Sequence, residues 1–306
     1  MNYVNDIKNN FCGKIFLGEL PADKRPNLAI FLSGSGSNAE KLLADAQVME
    51  STNPAVLVTD APEKSRAAEI ARKYNLPLVE FSIREFYRQQ GLPNTSLATE
   101  RGRQVRKLWT DELRKKLSSF AIDFGVLAGF EPLSNITNDF PCLNVHPGDL
   151  SVVDSEGNRC YVGLHSRPVE SAILSGETTL RSSVIIAQAF SNASKDMDNG
   201  ILLGISRAMD IDFGGFTLDQ LKAIKAARPQ RKPSGGWKDD LEALALRSQD
   251  ALKLCGDHII LPLTVRDFAR RCFAWQDNQL YYRSDVTQPF APVVSQEYDS
   301  NGKRKQ

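Results

Sequence analysis

The stretch 120–149 constrains the fold most, because it predicts two buried strands in quick succession: FAIDFGVLAGFEPLSNITNDFPCLNVHPGD. The first predicted strand ends at Val126–Phe130 and the second is Pro141–His146, and a loop follows each of them. Short continuous apolar runs bounded by loops are typical of fully buried strands. In open α/β sheets, ligands bind at the carboxyl ends of such strands.

Two polar side chains end the second strand. Asn144 and His146 lie two residues apart, so both point to the same face of the strand, and Pro147 and Gly148 then end it. An amide and an imidazole in this arrangement can contact one reacting atom. On the pattern alone, however, a histidine at a strand end is more often structural than catalytic.

A glycine-rich turn follows the first predicted strand, Asn27–Leu32. The turn is Ser33–Asn38, S-G-S-G-S-N, and a helical pattern follows it from Ala39 to about Met49. A strand, a glycine-rich turn and a helix in this order aim free backbone N–H groups and the helix dipole at an anion. A tight turn without a ligand is the alternative, and the pattern alone favours neither.

The alternation of strand and helix patterns along the chain predicts an α/β fold. We expect a doubly wound, mostly parallel sheet in the first half and a mixed sheet in the second half. The other predicted strands are 54–60, 77–81, 180–190 and 201–209, and the predicted hairpin is 276–283. The predicted helices are 62–74 with Pro62 in its first turn, 83–90, 99–118, 167–174, 237–254 and 258–272. The stripe in 99–118 that is predicted to join the core consists of Val105, Leu108, Leu113 and Leu117.

Residues 27–283 are predicted to form one domain. Residues 1–26 before it are expected to be an N-terminal arm, and residues 284–306 after it a polar tail. Within the domain, 211–236 is predicted to be a solvated insertion, because Gly, Pro and Lys or Arg dominate it. A basic arm that binds phosphate is the alternative for this segment.

Composition argues against several classes of function. The 306 residues include 38 basic and 37 acidic side chains, which predicts neither a nucleic-acid partner nor a membrane surface. The five cysteines lack a C-x-x-C spacing, no apolar run has transmembrane length and the N-terminus lacks an apolar signal region, so we expect a cytoplasmic protein with reduced thiols. Three histidines without metal-site spacing predict no metal. We expect small-molecule substrates, and the sequence does not indicate an oligomeric state.

One interpretation of the glycine-rich turn is a dinucleotide site. Gly34–Ala39 satisfies the pattern G-x-G-x-x-[GA], and Asp60 ends the next strand about twenty residues on. An acidic residue at this position commonly binds the ribose of NAD. The pattern therefore supports an NAD-dependent oxidoreductase.

Five segments occur in an order that supports another function: AIFLSGSGSNAEKLL, IDFGVLAGFEPLS, CLNVHPGDL, GLHSRPVESAILSGE and DMDNGILL. Together they resemble the glycinamide ribonucleotide formyltransferases, which are folate-dependent transferases of purine synthesis. The resemblance runs from about Asn27 to Arg283. The motifs are specific jointly, although none of them is specific alone.

The resemblance implies roles for individual residues. The positions of the family's catalytic residues are occupied by Asn144, His146 and Asp198. The substrate phosphate would lie on backbone amides of Gly36, Ser37 and Asn38. The substrate ribose would contact Asp257, which has a shorter side chain than the family's Glu. The pterin of the co-substrate 10-formyltetrahydrofolate would be held largely by main-chain groups of Leu127, Ala128, Gly129, Phe130, Leu133, Asp196 and Met197.

Some positions depart from the pattern of the family. The family has N-x-H-P-S-L-L-P and a short link to G-L-H, whereas here Gly148 and Asp149 follow the proline and a longer link leads to Gly163. Glu131-Pro132 replaces Met-Arg, which removes one backbone donor. Asp198-Asn-Gly200 replaces D-G-G. These changes bear on the acceptor amine more than on the folate.

The chemistry of formyl transfer fits the three polar residues. Transfer to an amine passes through a tetrahedral oxyanion, and donors placed at that oxygen stabilise it. Asn144 supplies an amide N–H and His146 an imidazolium N–H, while Asp198 would orient the imidazole and take a proton from the amine through water. Neither a covalent nucleophile nor a metal is required.

The function expected from the sequence is formyl transfer from 10-formyltetrahydrofolate to glycinamide ribonucleotide. The same chemistry on another amine, such as an amino sugar, is one alternative. An NAD-dependent oxidoreductase is a second alternative. A binding module without activity is a third, and the three intact polar residues argue against it.

Overall fold

The computed structural model describes residues 12–18, 21, 24–189 and 198–299. Its strands are β1 (Lys14–Ile15), β2 (Asn27–Leu32), β3 (Asn53–Thr59), β4 (Leu78–Glu80), β5 (Phe124–Leu127), β6 (Cys142–His146), β7 (Thr179–Leu180), β8 (Ser183–Ile186), β9 (Ile201–Ser206), β10 (Met209–Asp210), β11 (Phe273–Gln276), β12 (Gln279–Tyr282), β13 (Ala291–Val293) and β14 (Gln296–Tyr298). Its helices are α1 (Ser37–Ala44), α2 (Ala46–Ser51), α3 (Ala67–Tyr74), α4 (Ile83–Gln89), α5 (Glu100–Leu117), α6 (Arg167–Leu174), α7 (Leu218–Ala226), α8 (Asp240–Leu252) and α9 (His258–Ala269).

One large sheet organises the molecule, with the strand order β14-β9-β8-β6-β5-β2-β3-β4. The strand β8 is antiparallel to both of its neighbours, and every other pairing in this sheet is parallel. A smaller antiparallel sheet has the order β1-β11-β12-β13. The predicted α/β fold, with a mostly parallel sheet that becomes mixed in the second half, is confirmed.

The order of the strands creates a crevice. The strand order reverses at β2, because β3 pairs with one side of β2 and the later strand β5 pairs with the other. The connections that follow β2 and β5 therefore diverge at the carboxyl edge of the sheet. A crevice at such a point of reversal is where open α/β sheets bind ligands.

Helices cover both faces of the sheet, and the residues of β2 show why. Side chains alternate along a strand. Ile30 and Leu32 therefore join a core that includes residues of α1 and α9, whereas Ala29 and Phe31 pack near Trp109 of α5. Full burial of an apolar side chain such as Phe31 contributes about 1.5–3 kcal/mol. The continuous apolar run of β2 is thus explained by contacts on both faces.

The segment 211–236, predicted as a solvated insertion, contains the helix α7. Leu221 of α7 is fully buried among residues of α6 and α8, and Ile224 packs against the same cluster. Residues 229–235, which follow the helix, are exposed. Six of the nine residues of α7 are exposed, while Leu221 and Ile224 pack one side of the helix against the core, and the insertion itself stays a prediction.

The segment 284–306, predicted as a polar tail, contributes two strands. β13 pairs with β12, and β14 extends the main sheet beside β9. The hydroxyl groups of Tyr298 and Tyr282 each donate to Oδ2 of Asp267 at 2.8 Å, and Nε of Arg266 donates to its Oδ1 at 2.8 Å. Residues 291–298 are therefore not a tail, because a buried carboxylate binds one of them. In the predicted N-terminal arm, β1 pairs with β11.

Several predicted boundaries also differ. The helix expected at 39–49 is divided at Asp45, whose carboxylate accepts from the N–H of Val48 and caps α2. Helix α3 begins at Ala67 instead of Pro62, because a turn at 61–65 precedes it. Leu108 is 46% exposed and does not join the core, whereas the other three residues of its stripe are buried. The strand predicted at 180–190 is divided between β7 and β8, and its last residue lies outside the described residues.

The longest described helix, α5, has 18 residues and a largely charged surface. Across the described part of the chain, no helix combines the length and the apolar character that a bilayer crossing requires.

The contact between Tyr298 and Asp267 should stabilise the fold. Tyr298→Phe removes one donor from a buried carboxylate, so the free energy of unfolding should fall by about 1–3 kcal/mol in urea titrations. Tyr74→Phe, at the end of α3 beside the exposed Lys73, is the control and should change it by less than about 0.5 kcal/mol. Equal effects in the two variants would contradict this role of Asp267.

Candidate active site

A cleft of about 370 Å³ lies at the carboxyl edge of the main sheet. It is lined by side chains from α1, from the ends of β5 and β6, from 163–165 and from the segment between α8 and α9. The predicted site residues that line it are Asn38, Leu127, Gly129, Phe130, Leu133, Asn144, His146, Asp198 and Asp257. The structure thus brings the predicted catalytic residues and Asp257 into one cleft.

The imidazole of His146 is paired with a carboxylate. His146 ends β6, and only 3% of its surface is exposed. Its Nδ1 lies 3.3 Å from Oδ1 of Asp198. The N–H of Gly163 donates to the other carboxylate oxygen, Oδ2, at 2.9 Å. One side of Asp198 therefore contacts the imidazole while the main chain holds the other side.

A second acceptor determines which nitrogen of His146 carries a proton. Nε2 lies 2.7 Å from the carbonyl oxygen of Tyr161. A carbonyl only accepts, so Nε2 is protonated and Nδ1 is the nitrogen that faces Asp198. The carbonyl can approach because residue 148 is glycine: a Cβ there would lie 2.7 Å from Tyr161 O and 3.0 Å from Nε2. The glycine that departs from the family's pattern thus has a steric reason.

The side chain of Asn144 is available to a ligand. Asn144 lies between Leu127 of β5 and Ile185 of β8 in the sheet, and it lines the cleft two residues before His146. No described residue forms a hydrogen bond with its side chain. Its amide can therefore donate to an oxygen placed near His146.

Another carboxylate, Asp257, lines the same cleft. It is the last residue of a π-helical turn, Lys253–Asp257, between α8 and α9. Turns of this type interrupt α-helices and are frequent at functional sites. The hydroxyl of Ser182 donates to Oδ1 of Asp257 at 2.5 Å, which leaves Oδ2 for other contacts.

Burial makes the carboxylate of Asp257 easier to protonate. Desolvation raises the pKa of Asp257 to about 6, and the hydrogen bond from Ser182 and the charge of Lys253 oppose this shift. Asn38 lies beside it, and the buried Oδ1 of Asn38 has no partner among the described residues. An unpartnered buried acceptor next to a carboxylate fits a ligand that carries hydroxyl donors.

The glycine-rich turn has the geometry of an anion site. Gly36 has φ 67°, and a Cβ there would lie 2.4 Å from Ile70 Cδ1. Helix α1 starts at Ser37 without a side-chain cap, so its first N–H groups remain available to an anion. Gly36 and Ser37 do not line the cleft itself, whereas Asn38 does. The predicted phosphate site therefore lies at the margin of the cleft.

Part of the main chain predicted to bind the pterin is already paired. The N–H of Ala128 donates to the carbonyl of Phe31, and Ala128 does not line the cleft. The carbonyl of Gly129 accepts from the N–H of Ser33, and the carbonyl of Leu133 accepts from Arg106. Ala128 is therefore a core residue, and fewer main-chain groups than predicted can reach a ligand. Asp196 and Met197 lie outside the described residues.

Asp60 is committed to the protein instead of to a ribose. It is 4% exposed, and its Oδ1 accepts from the hydroxyl of Ser33 at 2.5 Å. Ser33 in turn accepts from the N–H of Glu131 at 2.9 Å, so the three residues connect the loops that follow β2, β3 and β5. Burial raises the pKa of Asp60. The residue that supported an NAD site is thus a structural support.

Five residues around the cleft were not predicted from the sequence: Arg159, Tyr161, Ser182, Lys253 and Arg106. Arg106 is buried and holds the 131–134 turn through Leu133, and Lys253 lies one turn before Asp257. Most of these contacts join residues far apart in the chain, so no local pattern reveals them. The described residues contain no group of three or more His, Cys, Asp or Glu side chains that could hold a metal.

Comparisons with known proteins identify the fold. No protein-family model matches the chain. The chloroplastic phosphoribosylglycinamide formyltransferase of Arabidopsis thaliana is 28% identical over 138 residues, which is 44% of this chain and 42% of that protein. The match therefore spans less than half of the length of this relative.

Solved structures match more of the chain. The phosphoribosylglycinamide formyltransferase of Coxiella burnetii superimposes with a TM-score of 0.57 at 18% identity and covers 90% of this chain and 99% of that one. Glycinamide ribonucleotide transformylase 1 of Symbiobacterium toebii follows with a TM-score of 0.53 at 17% identity, covering 84% and 93%. The chain has the fold of these formyltransferases. The resemblance seen in the sequence is confirmed.

The raised pKa of Asp257 makes stability depend on pH. Its value of about 6 in the folded protein exceeds the ordinary 3.8, so the folded state binds this proton more tightly than the unfolded state. The resulting stabilisation is complete below pH 3.8 and is lost as pH rises through about 6. Such a shift corresponds to roughly 3 kcal/mol.

Asp257→Asn should therefore flatten the decline of the unfolding free energy over this pH window, measured by urea titration at several pH values. The surface variant Asp139→Asn is the control and should keep the slope of the unmodified protein. An unchanged slope in Asp257→Asn would show that this carboxylate does not titrate as its burial requires.

Proposed function

We propose that the protein transfers a formyl group from 10-formyltetrahydrofolate to the primary amine of glycinamide ribonucleotide. The observation that carries the proposal is the convergence of Asn144, His146 and Asp198 in one cleft of a formyltransferase fold. The amide of Asn144 lines the same cleft as the paired imidazole and carboxylate. Together they supply the donors and the proton acceptor that acyl transfer to an amine needs.

Asn144 and His146 act as donors to the developing oxyanion. The Asn144 amide has no partner among the described residues, and Nδ1 of His146 faces the same cleft. The Nδ1–H of His146 would be shared between Asp198, 3.3 Å away, and the oxyanion, while the carbonyl of Tyr161 accepts the N–H of Nε2. Because these groups are already positioned, little reorganisation accompanies the reaction.

Asp198 also receives the proton of the amine. As the new C–N bond forms, the attacking nitrogen loses one proton, and the bond between the formyl carbon and the folate nitrogen breaks. Asp198, directly or through water, accepts that proton, which then returns to the folate nitrogen. The step balances without an oxidant, a reductant or a covalent intermediate on the protein.

The folate end of the cleft lies at the end of β5. 10-Formyltetrahydrofolate supplies an activated formyl group when it is bound. Leu127, Gly129, Phe130 and Leu133 line this end and would hold the pterin. Pro132 offers no N–H, and several neighbouring main-chain groups are paired within the protein. Apolar contacts with Leu127 and Phe130 therefore carry more of the binding than main-chain hydrogen bonds do.

The acceptor end of the cleft fits a phosphorylated ribose. Uncapped N–H groups at the start of α1 favour an anion, and the cation Lys253 lines the same cleft as Asn38 of that helix. Oδ2 of Asp257 and the unpartnered Oδ1 of Asn38 can accept from ribose hydroxyls. An amine attached to such a ribose would then point toward Asn144 and His146.

Formyl transfer to another amine is the second candidate. The longer 149–162 link and the shorter carboxylate of Asp257 both alter the acceptor end, and an amino sugar would use the same oxyanion donors. An NAD-dependent oxidoreductase has less support, because Asp60 is bonded to Ser33. A cytoplasmic location remains a proposal from the composition.

Replacement of His146 or Asp198 should strongly lower the rate of formyl transfer. His146→Ala and Asp198→Asn should each lower kcat by roughly 100-fold or more, because each loses preorganised stabilisation of the oxyanion. Folate deformylation in the presence of glycinamide ribonucleotide measures the rate, and circular dichroism checks the fold. Asp139→Asn, which changes a surface carboxylate paired with Arg114, should retain full activity. Near-normal kcat in both site variants would overturn the mechanism.

The phosphate of the acceptor should account for most of its binding. A panel of glycinamide ribonucleotide, its dephosphorylated riboside and amino sugars should show turnover that is highest with the ribonucleotide. Lys253→Gln should raise KM for the ribonucleotide about tenfold with little change for the riboside, because only the former loses an ion contact. Activity confined to unphosphorylated amines would leave formyl transfer standing and reject this acceptor.

A further inference from the structure

The segment 159–163 lies against both members of the His146–Asp198 pair. It contacts them through alternate residues, as an extended chain can. Tyr161 contributes its carbonyl to His146, and Gly163 its N–H to the carboxylate of Asp198. Arg159, two residues earlier, reaches the main chain on either side of residue 199.

The guanidinium of Arg159 bridges two carbonyl groups. Its Nη1 donates to the carbonyl of Asp198, and its Nη2 donates to the carbonyl of Gly200 at 2.8 Å. Arg159 is half-buried, and desolvation lowers its pKa, while the charge of Asp198 opposes this effect. A planar fork with two fixed donors matches two neighbouring carbonyls better than a single ammonium does.

The bridged main chain has an uncommon conformation. Asp198 has φ 64°, in the left-handed region that residues with a Cβ adopt rarely, although Asp tolerates it better than most. The two bonds from Arg159 hold this conformation, in which the side chain of Asp198 points back to Nδ1 of His146. A more common backbone conformation would direct the carboxylate elsewhere.

The segment that carries Arg159 is itself fixed to the core. Arg159 forms a bridge with Val153, and the N–H of Leu150 donates to the hydroxyl of Ser183 in the main sheet at 3.0 Å. The hydroxyl of Tyr161 donates to Glu177 at 2.6 Å. These hydrogen bonds fix the long link between β6 and α6, and with it the position of the Arg159 guanidinium.

We infer that Arg159 is a positioning residue, which aligns the carboxylate of Asp198 with the imidazole of His146 by clamping the carbonyls of residues 198 and 200. The inference rests on the proposed function for its kinetic consequence, but the alignment itself is a property of the protein alone. The lengthened link 149–162 would then position Asp198 beside His146, in addition to any effect on the choice of substrate.

The test uses Arg159→Ala and Arg159→Lys in the full chain, with Arg283→Ala as the matched control. Arg283 is also half-buried, and its guanidinium likewise donates to two main-chain carbonyls, those of Arg271 and Val286. Arg159→Ala should lower kcat by roughly 10- to 100-fold, as expected for a misplaced catalytic group, with KM for both substrates nearly unchanged. Arg159→Lys should recover part of the loss, and added guanidinium ion should partly restore Arg159→Ala.

The nitrogen NMR spectrum of His146 separates positioning from general loosening of the fold. In Arg159→Ala the Nδ1 signal should shift away from its value in the unmodified protein, in the direction produced by Asp198→Asn, while Arg283→Ala leaves it in place. This readout needs no substrate, so it holds even if glycinamide ribonucleotide proves not to be the acceptor. Unchanged kcat and an unchanged Nδ1 signal in Arg159→Ala would overturn the inference. Should Arg159→Ala fail to fold, the same two measurements on Arg159→Lys decide it, because loss of one of two donors must still displace the signal.

Discussion

The imidazole of His146 is held between two acceptors in a buried site, and the rest of the cleft depends on this arrangement. The Tyr161 carbonyl determines that Nε2 carries a proton, and the Asp198 carboxylate stands opposite Nδ1. Inside a protein such interactions are stronger than in water, but an unpaired partner is also costlier. Gly148 provides the space, Gly163 donates to the carboxylate, and Arg159 donates to the main-chain carbonyl of Asp198.

Four buried aspartates show that the partners of a carboxylate determine its role. Asp267 binds two tyrosine hydroxyls and an arginine and anchors the last strand of the sheet. Asp60 bonds with Ser33 and supports the loops of the crevice. Asp198 faces an imidazole, whereas Asp257 retains one oxygen toward the cleft. Only the last two are open to a ligand, and both lie at the same edge of the sheet.

Local patterns predicted the elements whose side chains are governed by near neighbours. The strand Asn27–Leu32 and the helix Arg167–Leu174 have the predicted bounds, because a continuous apolar run and an amphipathic helix are local properties. The predictions failed where distant contacts outweigh composition. Leu221 of the helix Leu218–Ala226 is buried against α6 and α8, and the strand Gln296–Tyr298 is held by a carboxylate 31 residues before Tyr298.

The sequence by itself determined which polar residues lie on one face at the end of β6, because the side chains of a strand alternate with a period of two. Asn144 and His146 could be found in that way, and the order of five motifs indicated the family. Only the tertiary structure decided which groups hold them. Arg159 meets the main chain of Asp198 across 39 residues, and Ser182 meets Asp257 across 75. Contacts of this range depend on how the sheet brings its loops together, and no local period of the chain encodes them.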